Sequence, residues 1–419
     1  MRRTRYVAAV GAAALLLAAT AACGAKDDGN KAEVFTWWTT GSEALGLEAL
    51  QGVLKDKHPD IAFINGGTAG GGGSAKDVLA SRLAANDPPD SFQAHAGAEM
   101  LDYINSGKVQ DLSNLYEEFG LTTAFPADLL DLVTKDGKKY SIPSNVHRAN
   151  VMWASIPVLT EVGIDFNQIT YATISDFIAD LEKIKAANPD ITPLTVAGTW
   201  TQVHLLETVL IAELGPEMYN GIWDGSTDPA GPEVGAALGV FETLMSYTNT
   251  DSEGEEWDFA TQKLIDGKGA FNIMGDWVPA QFVEQNQIMG TDWTWAPAPG
   301  TAGVFDFLAD SFTLPVDAPH PDGAKAWLDV IASVEGQAAF NKVKGSIPAR
   351  TDVNLSDFSE YQQQAAAAYA QDTIVGSLQH GAAASIAQGD AINKAVAKFR
   401  SGNSNLSEFH AEFAKAVTG

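Results

Sequence analysis

The sequence predicts an α/β protein of two lobes, each a mostly parallel sheet flanked by helices, with several crossings between them. Three observations carry that expectation. The chain has 419 residues, beyond the length at which a single hydrophobic core keeps growing. Its first hundred residues alternate strand and helix signals, the signature of parallel strands with helices packed on them. Strand signals return after a long helical middle and then give way to helices again, so the chain crosses between lobes more than once.

Taken in order, VFTWW reads as a strand. ALGLEALQGVLKDKHP follows as a helix with Leu47, Leu50, Val53 and Leu54 on one face, and Pro59 ends it. IAFIN reads as a buried strand, AKDVLASRLAAN as a helix closed by Asp87-Pro88-Pro89, and DSFQAH as a third strand. Ligands of such sheets sit at the carboxyl ends of the strands, where Trp37–Glu43 and Gln93–His95 fall. ISDFIADLEKIKAAN, TQVHLLETVLIAELG and ALGVFETLMSY are helical, with PLTVAG strand-like among them. GAFNIMGDW and VFDFLADSFTLP restore strands, and AWLDVIASVEGQAAFNKV and the C-terminal region are helical. Residues 66–74, GGTAGGGGS, are the low-complexity tract. They lack a Gly-Lys-Ser/Thr ending and dinucleotide spacing, and read as a flexible connection or a close backbone approach.

The formal charge of −27 argues against a nucleic-acid partner, which requires a basic face. MRRTRYVAAVGAAALLLAATAACG has a basic start, an apolar run and small residues before a cysteine. That is the pattern of a secretory signal, too short for a comfortable membrane span. Cys23 is the only cysteine, so no intramolecular disulfide forms. Thr20-Ala21-Ala22-Cys23 resembles a bacterial lipobox, which implies a signal peptide over 1–22 and lipid on Cys23. A polar tether then runs to residue 32. Cleavage would remove three arginines and no acid, taking the charge from −27 to −30.

Adjacent strand residues point to opposite faces, so Trp37 and Trp38 are not expected to fill one core layer together. An indole can stack on the apolar face of a pyranose, and tryptophan is frequent in binding clefts. Glu43 falls in the first turn of the following helix, where free N–H groups favour a carboxylate. Seven histidines are too scattered for a metal pattern, and no HExxH, CxxC or G-x-S-x-G motif is present. His95 and His380, beside glycines or in loops, are the better binding candidates, whereas His204 reads as a structural residue. Acidic residues are plentiful, but nothing marks two of them as a glycosidase pair.

The motifs WWTTGSE, DPPDSFQAHAG, IPSNVHRANVMW, GTWTQVHLLE, GAFNIMGDW, WAPAPGT, ADSFTLP, KGSIPAR and IVGSLQHGA occur in this order. Together they resemble the extracellular solute-binding proteins of bacterial sugar ABC importers, in particular the branch that takes glucose and related monosaccharides. The resemblance implies a two-lobed periplasmic-binding-protein-like fold with a hinge of several crossover segments. It assigns residues 33–145 and about 275–325 to the N-terminal lobe, and 146–274 and about 326–419 to the C-terminal lobe. It implies a sugar site made of Trp37, Trp38, Glu43, Gln93, His95, Trp257, Trp277, Asp310, Lys344 and His380, with no catalysis, no cofactor and no metal. The implied partners are a monosaccharide (glucose, galactose or mannose) and the membrane permease subunits of the importer. The implied state is a monomer outside the cell membrane, held by its lipid. An oligosaccharide receptor, a glycoside hydrolase or a sugar sensor would be the competing readings.

Overall fold

The computed structural model describes residues 30–39, 41–68 and 73–419. The signal sequence, Cys23, most of the tether and the middle of the glycine tract therefore lie outside the described residues. Among the described residues, no helix is long and apolar enough to cross a membrane.

The first lobe is built on a five-stranded sheet in the order β2-β1-β3-β13-β6. These strands are β1 (Lys31–Phe35), β2 (Ala62–Asn65), β3 (Ser91–His95), β6 (Ser141–Pro143) and β13 (Asp310–Thr313). β1 runs parallel to β2 and β3, while β13 enters antiparallel to both β3 and β6. A small hairpin of β4 (Thr134–Lys135) and β5 (Lys138–Lys139) stands beside it. The second lobe has the order β11-β8-β10-β9, with β8 (Val151–Ser155), β9 (Thr192–Thr195), β10 (Gly269–Ile273) and β11 (Trp293–Pro297). Only β9 and β10 are parallel there.

Pairing is thus more mixed than the parallel expectation, for a physical reason. A parallel neighbour needs a crossover connection, whereas a strand that arrives from the other lobe can enter in either direction. The lobes are joined by a third sheet, β14-β12-β7, of β7 (His147–Arg148), β12 (Val304–Leu308) and β14 (Thr373–Gly376). Each of its strands lies on a segment that passes between the lobes.

The pairings divide the chain at points other than those expected. β11, expected in the first lobe, pairs with β8 in the second. The helices Pro321–Ala332 and Val334–Lys344, expected largely in the second, pack on β1 and on the helix Gly41–Lys57 of the first. Their buried faces carry Trp327, Val330, Ile331 and Phe340, and that apolar stripe follows the nearest uncovered sheet rather than sequence order. The second lobe ends instead with Ile386–Arg400 and Leu406–Thr418, packed on Thr199–Asp224 and Pro232–Met245. β2 was expected to be buried, but it is an edge strand with Ala62, Ile64 and Asn65 exposed.

The helix Thr199–Asp224 runs past its expected end and bends at Gly215, whose φ is 70°. Pro216 follows, and its missing N–H and its ring would disrupt a straight ladder there. Two core clusters result, one around Trp38, Trp153, Phe312 and Trp327, the other around Phe177, Leu206, Phe241 and Phe271.

Candidate functional site

The ends of these strands meet at one cleft between the lobes, with a volume of about 680 Å³. β1 ends at Phe35, so both tryptophans follow the strand rather than belong to it. Trp38 is buried at 1% exposure, with ring centroids 4.6 Å from Phe340 and 5.6 Å from Phe312. Only its margin reaches the cleft. Trp37 turns to the cleft and lies 5.1 Å from the His95 ring, with Lys76 Nζ 5.7 Å from its centroid.

β13 is antiparallel to β3, so its first residue, Asp310, stands opposite the last residue of β3, His95. Asp310 accepts from Gln93 Nε2 and from Asn145 Nδ2, both at 2.7 Å. His95 Nε2 and His147 Nε2 approach its two oxygens at 3.6 and 3.7 Å. Burial opposes ionisation of Asp310, but His95, His147 and Lys344 outweigh it and hold the carboxyl below its ordinary value. Gln93 itself is wholly buried; its side-chain oxygen accepts from the Thr36 hydroxyl. It orients Asp310 from behind and does not line the cleft.

Glu99 was not singled out in the sequence, and it belongs with this group. It opens the helix Ala98–Asn105 and accepts from Lys76 Nζ at 2.7 Å, with His95 Nδ1 at 2.8 Å. Burial would raise this carboxyl, yet Lys76 and His95 pull it down to about 2. The spacing His95-x-x-x-Glu99 was the available signal. Gly97, at φ 116°, lets the turn pass so close that a Cβ there would lie 2.5 Å from the Ala382 carbonyl. The same closeness brings the loop carrying His380 against this helix start.

Lys344 ends the helix Val334–Lys344 and donates to Glu43 Oε1 at 2.7 Å. Its Nζ stands 6.0 Å from the Trp38 ring and 5.7 Å from Trp277. The opposite wall carries Trp200, Trp257, Trp277 and His380. Trp277 and His380 are 5.3 Å apart, with Trp200 6.4 and 6.0 Å from them. The described side chains therefore bring nine of the ten expected residues to the cleft, with Trp38 mostly core and Gln93 set behind. They add Lys76, Glu99, His147 and Trp200. Lys76 and Lys344 each face a carboxylate here, Glu99 and Glu43, which suits a ligand that is polar but uncharged. Trp277 Nε1 and His147 Nε2 are buried with no hydrogen-bond partner, and such groups cost about 1–3 kcal/mol unless something bonds to them.

Behind His380 lies a second, fully buried group. Glu207 accepts from the Ser377 hydroxyl and from the Gln379 N–H at 2.8 Å. Burial raises Glu207 to about 7 despite those bonds. Burial and the adjoining Glu207 push Asp306 well above the carboxylate range. His204, expected to be structural, is wholly buried and donates from Nε2 to the Ala149 carbonyl at 2.9 Å. Burial lowers its pKa to about 4. One ligand atom each of His204, Glu207 and His380 falls within 4.8 Å of the others. Ser377 Oγ is already bonded to two of the three, so they do not form an open ligand set.

These shifts set a pH profile. Raised carboxyls contribute stability that is full below their unfolded value and is lost as pH rises through the folded one. Lowered carboxyls such as Glu99 contribute stability present above their unfolded value and lost as pH falls through the folded one. The melting temperature is therefore expected to decline between about pH 4.5, where an unfolded glutamate ionises, and about pH 7, where Glu207 ionises in the folded protein, and to level off above that. Glu207→Gln should flatten that decline by roughly 1–3 kcal/mol. Thermal unfolding followed by circular dichroism across that range checks it, and an equally steep decline in the variant would refute the assignment.

A family profile described as "Bacterial extracellular solute-binding protein" matches residues 18–338. An ABC transporter extracellular-binding protein of Pyrococcus horikoshii is 33% identical over 84% of this chain and 79% of its own. A probable sugar-binding periplasmic protein of Rhizobium meliloti is 32% identical over 99% of both chains. Among solved structures, a chitin oligosaccharide binding protein superposes with a TM-score of 0.80 at 18% identity, covering 93% of this chain and 99% of that one. At that identity the likeness speaks for the fold.

Proposed function

The chain belongs to the bacterial extracellular solute-binding proteins, and on that premise we propose that it captures a monosaccharide, glucose first among them, for an ABC importer. The observation that supports this most is the composition of the cleft: aromatic rings on one wall and a ring of paired charges on the other, with Asp310 at its centre. Vicinal hydroxyls both donate and accept. Asp310 and Glu43 would accept from them, while Lys344, His95 and the unpartnered Trp277 Nε1 would donate, and bonds to ionised groups are the stronger ones. Trp37, Trp257 and Trp277 would cover the apolar faces of the sugar ring. Residues from both lobes touch such a ligand together only when the lobes approach, so sugar favours closure about the three crossing strands. The closed form would then dock on the permease, with Cys23 lipid keeping the protein at the outer face of the membrane.

An oligosaccharide is the second reading, favoured by the cleft volume. A hydrolase fits less well. Glu99 and Asp310 are held as anions and lack the proton a general acid must give, although burial raises Glu256 at the rim. Titration calorimetry against glucose, galactose, mannose, maltose and cellobiose decides among the sugars. One-to-one binding of glucose at micromolar or tighter Kd, silent disaccharides and an uncleaved chromogenic glycoside are expected. Tight binding of a disaccharide alone would move the assignment to an oligosaccharide receptor, and turnover would overturn it.

A further inference from the structure

The hinge-side wall holds a connected row of groups that sugar capture as described above does not use. His380 lines the cleft with Nδ1 2.9 Å from Ser377 Oγ, and its backbone N–H donates to the same oxygen at 3.2 Å. Nδ1 being engaged, the ring presents Nε2 to the cleft. Ser377 Oγ lies 3.0 and 2.9 Å from the two Glu207 oxygens. Beyond Glu207 is Asp306, in the hinge strand β12, whose oxygens meet no donor. The two carboxyls interact directly, each acting on the ionisation of the other, and such a pair does not ionise twice. Asp306, the one without a donor, holds the proton and donates it to Glu207.

A serine hydroxyl has one proton and a neutral imidazole has one N–H. With Glu207 ionised, Ser377 donates to Glu207 and its lone pairs accept from His380. The imidazole proton is then on Nδ1, and Nε2 is a bare lone pair facing the ligand. With Glu207 protonated, Glu207 donates to Ser377, whose hydroxyl turns to donate to Nδ1. The imidazole proton then sits on Nε2. One proton enters at Glu207, one hydroxyl rotates, and the imidazole changes tautomer without changing charge.

We propose that Glu207 and Ser377 are positioning residues that set the tautomer of His380, and so decide whether it offers a sugar hydroxyl an acceptor or a donor. A ring that must accept in one state and donate in the other distinguishes hydroxyls by the partners they already have. The row therefore reaches the specificity of the site from behind it. Burial and the neighbouring His204, His95, Lys76 and His147 keep His380 itself from charging, so tautomerism is the freedom left to it. Around Glu207, His204 Nδ1 stands at 3.6 Å, outside hydrogen-bond reach. Tyr219 adds its hydroxyl to the backbone N–H of Leu378 as acceptor, and Arg148 on β7 acts on Asp306. None of these gives Glu207 a fixed counter-charge.

The affinity effect rests on the sugar-binding reading, whereas the tautomer belongs to the free protein, and the two are measured separately. Side-chain 15N NMR of the ligand-free protein, with the His380 signals assigned by their loss in His380→Gln, should show Nδ1–H at about pH 8.5 and Nε2–H at about pH 5.5. Glu207→Gln, whose amide donates to Ser377 at every pH, should hold Nε2–H throughout. Ser377→Ala should uncouple the tautomer from pH while leaving the carboxyls in place. In titrations of wild type with the tightest sugar, the Kd should change by about 3–10-fold between those pH values, and in Glu207→Gln by less than about 2-fold. The same tautomer at both pH values in wild type, or a Glu207→Gln protein that still switches, overturns the proposal. A tautomer that switches in a protein that binds no sugar upholds the relay and overturns the sugar-binding reading instead.

Discussion

Asp310→Asn should weaken sugar binding by about 100-fold or more while the protein still folds. Three basic side chains, His95, His147 and Lys344, hold this one carboxylate ionised, and two amides, Gln93 and Asn145, donate to its oxygens. Asparagine keeps the shape and removes the charge. It also replaces one acceptor oxygen with an NH₂ group, which would face an amide that is already a donor. One buried donor is left unpaired, and the bond a hydroxyl would make to an ionised group is gone. Each loss is worth about 1–3 kcal/mol, together about 2–6 kcal/mol, a range centred above the 2.7 kcal/mol or so that about 100-fold represents. Calorimetric titration reads the affinity, and thermal unfolding shows whether the variant is folded. A folded Asp310→Asn protein that binds within about threefold of wild type would place the ligand elsewhere.

Trp38→Ala is expected to cost stability rather than affinity, about 3–5 kcal/mol, the range for truncating a buried tryptophan. Trp38 fills the space between Phe312 on β13 and Phe340 on the helix Val334–Lys344, so its loss opens a void where sheet and helix meet. Trp37→Ala should do the reverse, lowering sugar affinity by about tenfold with a small change in unfolding. Trp37 meets His95 and the cleft. Denaturant unfolding midpoints and calorimetric titrations on the pair separate the roles. Equal losses of stability in both variants would mean that Trp37, too, is core.

That contrast also shows what the sequence made legible. Alternating signals over the first hundred residues located β1, β3 and the helices between them, and the strand ends pointed to Trp37 and His95, whereas Asp310 came only from the family resemblance. Alternation did not determine which tryptophan faces the ligand, because β1 stops at Phe35 and the following turn, not the pleat, aims both rings. Lobe boundaries were hidden for a related reason. The apolar stripes of Pro321–Ala332 and Val334–Lys344 say that these helices cover a sheet, without saying which one. The pairings that complete the site are remote in sequence: Lys344 with Glu43 across 301 residues and Ser377 with Glu207 across 170. Neither has a local signature. Glu99 did have one, four residues from His95 at a helix start, and Lys76 followed from it only once the two elements were side by side.

β3 is the middle strand of the first sheet, yet the residue that pairs with Gln93 through its side chain, Asp310, is made 217 residues later. At translation rates of about 5–20 residues per second, that interval lasts roughly 10–40 s. Throughout it the emerging chain carries an unpaired inner edge, the feature that drives strand-to-strand aggregation. Closing so large a loop also makes collapse of this half slow compared with a locally connected fold. The order of the strands thus builds in a delay during which the polypeptide is unfolded and sticky.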